Sequence, residues 1–288
     1  MKRTAFRVLA ASLAYAGASF ILAQEPAKIL RILREDIKSG KGAAHEKVEM
    51  GYVRAFSRSQ YPNYLALESV TGQPQVWFLE RYDSYAAVEN AIQISDAETL
   101  NTVLQQLGAQ DGELRSGERN MIASYQKDLS YLPVPANLAK ARFVTVNMVR
   151  VRPGHNAEFT EMRKLLNSAF EKSASQQRRV VYSVTSGAPA GAYLVLSAMD
   201  SLKAMDPNPS QMSMAEAFGT ENLARYQKLQ ADIVMSAEST LFAVNPRMSY
   251  PPKEYVTADP SFWTPKPKPA TPKPAAAKPA AAKPAGGQ

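Results

Sequence analysis

The chain has no cysteine, and its 288 residues include only two histidines and two tryptophans. Without cysteine there is no thiolate nucleophile, no disulfide, no cysteine-ligated zinc or iron–sulfur cluster and no lipid-anchored cysteine. Two histidines rule out a three-histidine zinc centre. Phosphate-cradling GxxxxGK[ST] loops, GxSxG nucleophile elbows and HExxH zinc motifs are also missing. Acidic residues are absent from both ends. Lys2, Arg3 and Arg7 near the start, with Lys266, Lys268, Lys273, Lys278 and Lys283 near the end, account for the whole net charge of +8. Residues 24–263 are therefore neutral as a unit. Nucleic-acid binding needs cations on the folded body, where they neutralise several phosphates, so no nucleic-acid partner is expected.

The ends themselves are informative. Basic Lys2, Arg3 and Arg7 precede an Ala/Leu-rich run from Val8 to Ala23, which Gln24-Glu25-Pro26 breaks. That pattern predicts an export signal over 1–23, cleaved after Ala23. The run is short of the roughly 20 apolar residues that span a bilayer, and no other stretch approaches that length. The expected product is exported, periplasmic or extracellular, with no transmembrane segment after cleavage. From Pro265 the chain reads PKPKPATPKPAAAKPAAAKPAGGQ, with 7 of the 20 prolines. Proline blocks helix and sheet alike, so 251–288 is read as a linker and a disordered Pro/Lys/Ala tail. Its lysines suit an anionic cell-envelope polymer.

Between the ends the sequence repeats with an offset near 115. Gly40 to Phe56 spans the same interval as Gly154 to Phe170, and Thr71-Gly72-Gln73-Pro74 answers Ser186-Gly187-Ala188-Pro189. Asp83-Ser84 answers Asp200-Ser201, and Tyr131-Leu132-Pro133 answers Val244-Asn245-Pro246. Copies are placed at 24–135 and 140–250. In the second, a strand over 143–152 leads through Pro153-Gly154 into a helix with Phe159, Met162, Leu166 and Phe170 at helical spacing. Strands follow over 179–185 and 192–199, then helix over 212–238 interrupted at Gly219, then a strand over 240–245. The first copy predicts strand 28–37, helix 42–58, strands 64–70 and 75–82, helices, and a closing strand near 129–132. The order β-α-β-β-α-β is the ferredoxin-like split unit. The fold class is thus α+β, a tandem ferredoxin-like duplication.

Residues Val149-Arg150-Val151-Arg152-Pro153-Gly154-His155 through Phe159 resemble the usual opening of the dimeric α+β barrel superfamily, which includes antibiotic-biosynthesis-monooxygenase-like and NIPSNAP-like domains. The resemblance implies that the two copies pack their sheets into an internal pseudo-dimeric barrel within one polypeptide. It also implies a cavity in which Asn, Trp and His could act. Asn147 interrupts an apolar strand, His155 opens a helix, and Trp77 sits in a central strand of the other copy. Asn147 and His155 are the catalytic candidates and Trp77 the ligand-binding one. Each also has an ordinary reading: a satisfied strand polar group, a helix-start decoration and a core aromatic. His45, beside Glu46 and Lys47, reads as a solvated helix residue. Met199, Met205, Met212 and Met214 offer soft thioethers to Cu(I), but packing by an adaptable side chain explains them without a metal. No metal and no cofactor is assigned. The expected activity is binding of a small apolar or aromatic molecule in the inter-sheet cavity. A cofactor-independent monooxygenase and an envelope scaffold tethered by its tail are the alternatives.

Overall fold

The structure, a computed structural model, describes residues 25–133 and 138–265. The signal called over 1–23 and the tail beyond 265 lie outside the described residues. Eight antiparallel strands close into a barrel: β1 (Ile29–Ile37), β2 (Tyr64–Ser69), β3 (Gln75–Tyr82), β4 (Arg115–Tyr125), β5 (Phe143–Val151), β6 (Val180–Ser186), β7 (Ala192–Met199) and β8 (Val234–Val244). Their circular order is β1-β3-β2-β8-β5-β7-β6-β4. The first four strands lie as β4-β1-β3-β2 and the last four as β8-β5-β7-β6, the same ferredoxin-like order in each half. Helices α1 (Gly42–Phe56), α2 (Tyr85–Asp96) and α3 (Glu98–Gly112) flank the first half. Helices α4 (Asn156–Lys172), α5 (Met214–Phe218) and α6 (Thr220–Ile233) flank the second.

Strand alternation sorts side chains between two environments. On β1, Leu30 and Ile32 enter the barrel, whereas Ile29, Leu33 and Ile37 pack outward under the helices. Leu67, Trp77, Met121, Val146, Leu194 and Phe242 come from six further strands to fill the interior. The barrel is a packed core, as expected of eight strands. The second helix layer is equally apolar: Phe159 and Met162 of α4 meet Val151, Tyr193 and Val195 of the sheet and Leu229 and Ile233 of α6. The helical stripe read from the sequence, Phe159–Met162–Phe170, is buried.

Corresponding irregularities occur in both halves. The pairing of β1 with β4 shifts between Asp36 and Ile37, and that of β5 with β8 between Arg150 and Val151. Gly40 and Gly154, just before α1 and α4, have φ of 75° and 88°. Ser84 and Ser201 each cap the helical turn that follows β3 or β7, accepting from Ala87 N–H and Lys203 N–H.

Two elements depart from the sequence reading. The closing strands are β4 and β8, beginning at Arg115 and Val234; residues 127–129 form a 3-10 turn, and Tyr131 makes only an isolated bridge to Arg179. The first halves of both strands are mostly exposed and polar, so they lack the apolar alternation that marks a strand. The spacing between halves grows accordingly, from 114 for the starts of β1 and β5 to 119 for β4 and β8. Secondly, residues 251–265, assigned to the linker, contain α7 (Lys253–Ala258) and α8 (Pro260–Trp263). Tyr255 and Trp263 are buried with the barrel residues, and Trp263 Nε1 donates to the Ala139 carbonyl at 2.8 Å. Arg142 pairs with Asp259 and lies 3.8 Å over the Phe262 ring. Proline-rich composition concealed these aromatic anchors.

Two seams join the halves. Leu67, Glu68 and Ser69 of β2 pair with Val244, Ala243 and Phe242 of β8, and β4 pairs with β6 from Ile122 to Tyr125. Gly187, at the end of the second seam, has φ of 84°, and a Cβ there would lie 1.9 Å from the Asn120 carbonyl oxygen. Backbone cannot yield as a flexible side chain can. Gly187→Ala is expected to destabilise the protein by at least about 2 kcal/mol, read as a lowered urea midpoint.

Candidate functional site

The barrel interior retains one apolar cavity of about 110 Å³ near one mouth. Leu30 of β1, Leu65 and Leu67 of β2 and Leu79 of β3 line it from the first half; Val144, Val180, Tyr182 and Leu196 line it from the second. The two sets occupy matching strands, so the cavity lies on the approximate twofold between the halves. Pro26, Ala27 and Leu138 cover it, and the turn at Leu138 is backed by Trp263. Its polar groups are few. Arg81 donates to the Tyr255 hydroxyl at 3.0 Å, and Tyr182 donates its hydroxyl to the Ala27 carbonyl at 3.0 Å. Burial pushes the Tyr182 phenol above the ordinary tyrosine range. Arg178 completes the rim. The site can sequester an apolar body beside a cationic edge; among the described residues it presents no carboxylate or imidazole.

A second, wholly different site lies on the other face of the same sheet, between β1 and helices α1 and α3. Glu35, His45, Glu49 and Asp111 are all at least 96% buried there. His45 and Glu49 share one face of α1, one helical turn apart; Glu35 faces outward from β1, and Asp111 comes from the end of α3. His45 Nε2 lies 2.7 Å from Glu35 Oε2, 3.5 Å from Asp111 Oδ1 and 3.8 Å from Glu49 Oε1. Arg115, at the start of β4, reaches Glu35 Oε1 at 2.5 Å and Glu118 Oε2 at 2.5 Å. Its Nε is 2.9 Å from Asp111 Oδ2 but off the N–H direction, so neither Asp111 oxygen accepts a hydrogen bond. Three buried carboxylates thus face one guanidinium. Burial, then repulsion by Glu35 and Asp111, raises Glu49 well above the ordinary carboxylate range. Asp111 is pushed up to about 6 by burial and by Glu35, against the opposing pull of His45 and Arg115.

No protein-family model matches the chain, and no curated protein matches it. Solved structures do. An anthrone oxidase-like protein superposes with a TM-score of 0.50 at 15% identity, over 77% of this chain and 93% of that one. The fold is the ferredoxin-like α+β barrel. A candidate monooxygenase from Fusobacterium nucleatum subsp. nucleatum gives 0.48 at 14% identity, covering 76% and 93% of the two chains. A chlorite dismutase from Candidatus Nitrospira defluvii gives 0.43 at 8%, covering 81% and 95%. At these identities the likeness is one of fold.

The structure does not bring the three sequence candidates together. Trp77 points into the barrel, 5.5 Å from Phe242, and its Nε1 donates to Gln75 Oε1 at 2.7 Å. It is not among the residues that line the cavity. Asn147 pairs with Val195, which belongs to the outer layer, so the two share the helix-facing side of the sheet. His155 stands at the N-terminal boundary of α4 without a side-chain cap bond, half-exposed, with Nδ1 3.1 Å from Glu158 Oε1. Met199, Met205 and Met212 border an open groove, whereas Met214 packs with Ala169 and Phe218.

His45 corrects the sequence reading. It was expected in solvent and is 1% exposed, because it continues the sheet-facing stripe that Val53 and Phe56 form further along α1. The flanking Glu46 and Lys47 masked that position. The only available signal was the i, i+4 spacing of His45 and Glu49 on that stripe.

Removing the one guanidinium leaves the carboxylates uncompensated. Both raised carboxyls bind protons more readily in the native state than in the unfolded chain. Falling pH therefore relieves the cluster, and rising pH through about 6 loads it with charge. Arg115→Met is expected to cost about 3–5 kcal/mol at pH 8 and distinctly less at pH 5. Urea denaturation of both proteins in chelator at the two pH values measures the difference.

Proposed function

We propose that this is an exported binding protein that holds one small apolar or aromatic molecule in the barrel-mouth cavity. The observation that carries the reading is the cavity itself: nearly all of its lining is Leu, Val, Ala and Pro, drawn from both halves, with arginines only at its edge. Ligand sites have that make-up, an apolar wall with a few convergent polar groups. Its volume of about 110 Å³ is somewhat below the ~150 Å³ that holds benzene in an engineered cavity. The ligand is therefore one ring or a short branched chain. Arg81 and Arg178 favour a compound with an electron-rich or anionic end.

A cofactor-independent oxygenase using the same cavity is the second reading, prompted by the fold shared with the anthrone oxidase-like protein. The cavity offers it little: proton abstraction needs a base, and among the described residues the titratable lining groups are two arginines and a tyrosine whose hydroxyl is already engaged. Matching strand order, bulges and turns support descent of the halves from one duplicated unit. A third reading makes the barrel a scaffold that the Pro/Lys/Ala tail tethers to anionic envelope polymer.

Two measurements test these statements. Native mass spectrometry of the purified chain with phenol or benzoate should show one bound molecule per chain. Leu196→Trp, which fills the cavity, should weaken binding at least tenfold while leaving circular dichroism unchanged. Equal binding by both proteins would dispose of the cavity reading, whereas oxygen uptake with the bound compound would favour the oxygenase. Separately, deletion of 264–288 should release the protein from the envelope fraction; unchanged fractionation would remove the tether.

A further inference from the structure

The buried charges of the first half are only partly answered in the second, where the one ionisable counterpart is the buried Arg163, at the position of Glu49. Residues of β1 and α1 correspond to residues of β5 and α4 at a constant spacing of 114, set by the element starts at Ile29 and Phe143 and at Gly42 and Asn156. At that spacing His45 corresponds to Phe159 and Glu35 to Val149, both in the apolar layer of the second half. There α6 supplies Leu229 and Ile233, on the side where α3 supplies Asp111. The same sheet–helix layer is thus built in the second half from hydrocarbon and one arginine, whose guanidinium donates to the Leu129 carbonyl, and in the first from three carboxylates and an imidazole. Hydrocarbon does this job as well or better, since desolvating charges costs more than their attraction commonly returns. The charges therefore serve something that hydrocarbon packing does not supply.

We propose that Glu35, His45, Glu49 and Asp111 form a binding site for one divalent transition cation, with His45 Nε2 and one carboxylate oxygen from each acid as ligands. These four atoms lie within 4.8 Å of one another. Donors on a sphere of about 2.1 Å radius sit roughly 3–4 Å apart, close to the 2.7, 3.5 and 3.8 Å measured from His45 Nε2. Arg115 supplies the outer shell. It takes Oε1 of Glu35 and lies beside Oδ2 of Asp111, which leaves Oε2 and Oδ1 turned towards the imidazole. Such outer partners fix ligand orientation in metal sites. Asp111 provides an independent sign: it is 99% buried, pairs with Arg115 through Oδ2 and aims Oδ1 into the cluster, where no N–H donor is aligned on it. Buried carboxylate oxygens are ordinarily satisfied. With the imidazole neutral and all three acids ionised, as ligands must be, the buried carboxylates outnumber the guanidinium, and a divalent cation supplies the missing positive charge. One nitrogen and three oxygens suit Zn²⁺ or Mn²⁺ and fall short of the six to eight oxygens Ca²⁺ takes. With its ligands all buried, the site is structural, and it is independent of the barrel cavity across the sheet.

The presence of only two histidines makes a direct test simple. In the full chain carrying His155→Ala, a surface change, His45 is the sole imidazole. After EDTA treatment and dialysis, Zn²⁺ is titrated while the imidazole ¹⁵N resonances and the melting temperature are followed. The expected result is one equivalent bound, a large shift of Nε2 and a melting temperature several degrees higher. Asp111→Asn and Glu49→Gln should each weaken uptake at least tenfold, and Co²⁺ should develop visible d–d absorption that both variants lose. An unmoved His45 resonance at saturating Zn²⁺ and Mn²⁺ overturns the proposal, as does uptake that both cluster variants leave unchanged. Should those variants not fold, the His45 resonance decides alone.

Discussion

A four-stranded sheet with helices on one face has one bare face and two bare edges, and the arrangement of this chain follows from covering all three. Each half presents its bare face to the other, so the apolar residues of both form one interior. Each half also lends an edge at either side, β2 to β8 and β4 to β6. Closure removes every free strand edge that would otherwise attract another chain. Once the circle is closed, the remaining opening is at a mouth, and the segment after β8 returns to pack Tyr255 and Trp263 there. The cavity, its leucine walls and its arginine rim exist because closing the circle leaves a small space that the side chains of both halves do not quite fill.

The sequence carried most of this at the level of pattern. β3 and β7 are found where apolar runs bounded by Gly and Pro predicted them, Gln75–Tyr82 and Ala192–Met199. The stripe from Phe159 to Phe170 marked a core-facing helix. What failed was local chemistry that long-range pairing overrides. Arg115–Asn120 has no apolar alternation, and it is a strand because β1 binds its backbone along the whole length. Tyr255 and Trp263 stand among prolines and lysines, and only the barrel mouth shows that they are anchors. The candidate site was less legible still. Trp77 and Asn147 were read as residues of one cavity, yet a strand offers two faces, and these two residues took opposite ones. His45 was read as solvated because its neighbours are charged. The partners that give it meaning, Glu35 and Asp111, lie ten and more residues away in sequence.

The two candidate sites share a sheet but differ in every physical respect. One is apolar, lies on the approximate twofold and belongs to both halves. The other is ionic, buried beneath helices and belongs to one half only. β1 contributes to both, Leu30 on one face and Glu35 on the other. Two halves of different sequence within one chain permit this inequality. A symmetric dimer would repeat each charge in its partner, at a desolvation cost in both.

The seam between β2 and β8 joins Leu67 to Val244, residues separated by most of the described chain. Contacts of that sequence separation form late, because the loop must close before pairing rewards it. While the second half is still being made, the first has an unclosed barrel face and an unpaired β2. The brevity of β2, from Tyr64 to Ser69 with Glu68 at its outer end, suits a strand that waits: short, charged edges pair poorly with strangers. Folding speed and the yield of soluble protein should thus be governed at this seam, which closes last, while the helix layers over each half can pack earlier from nearer neighbours.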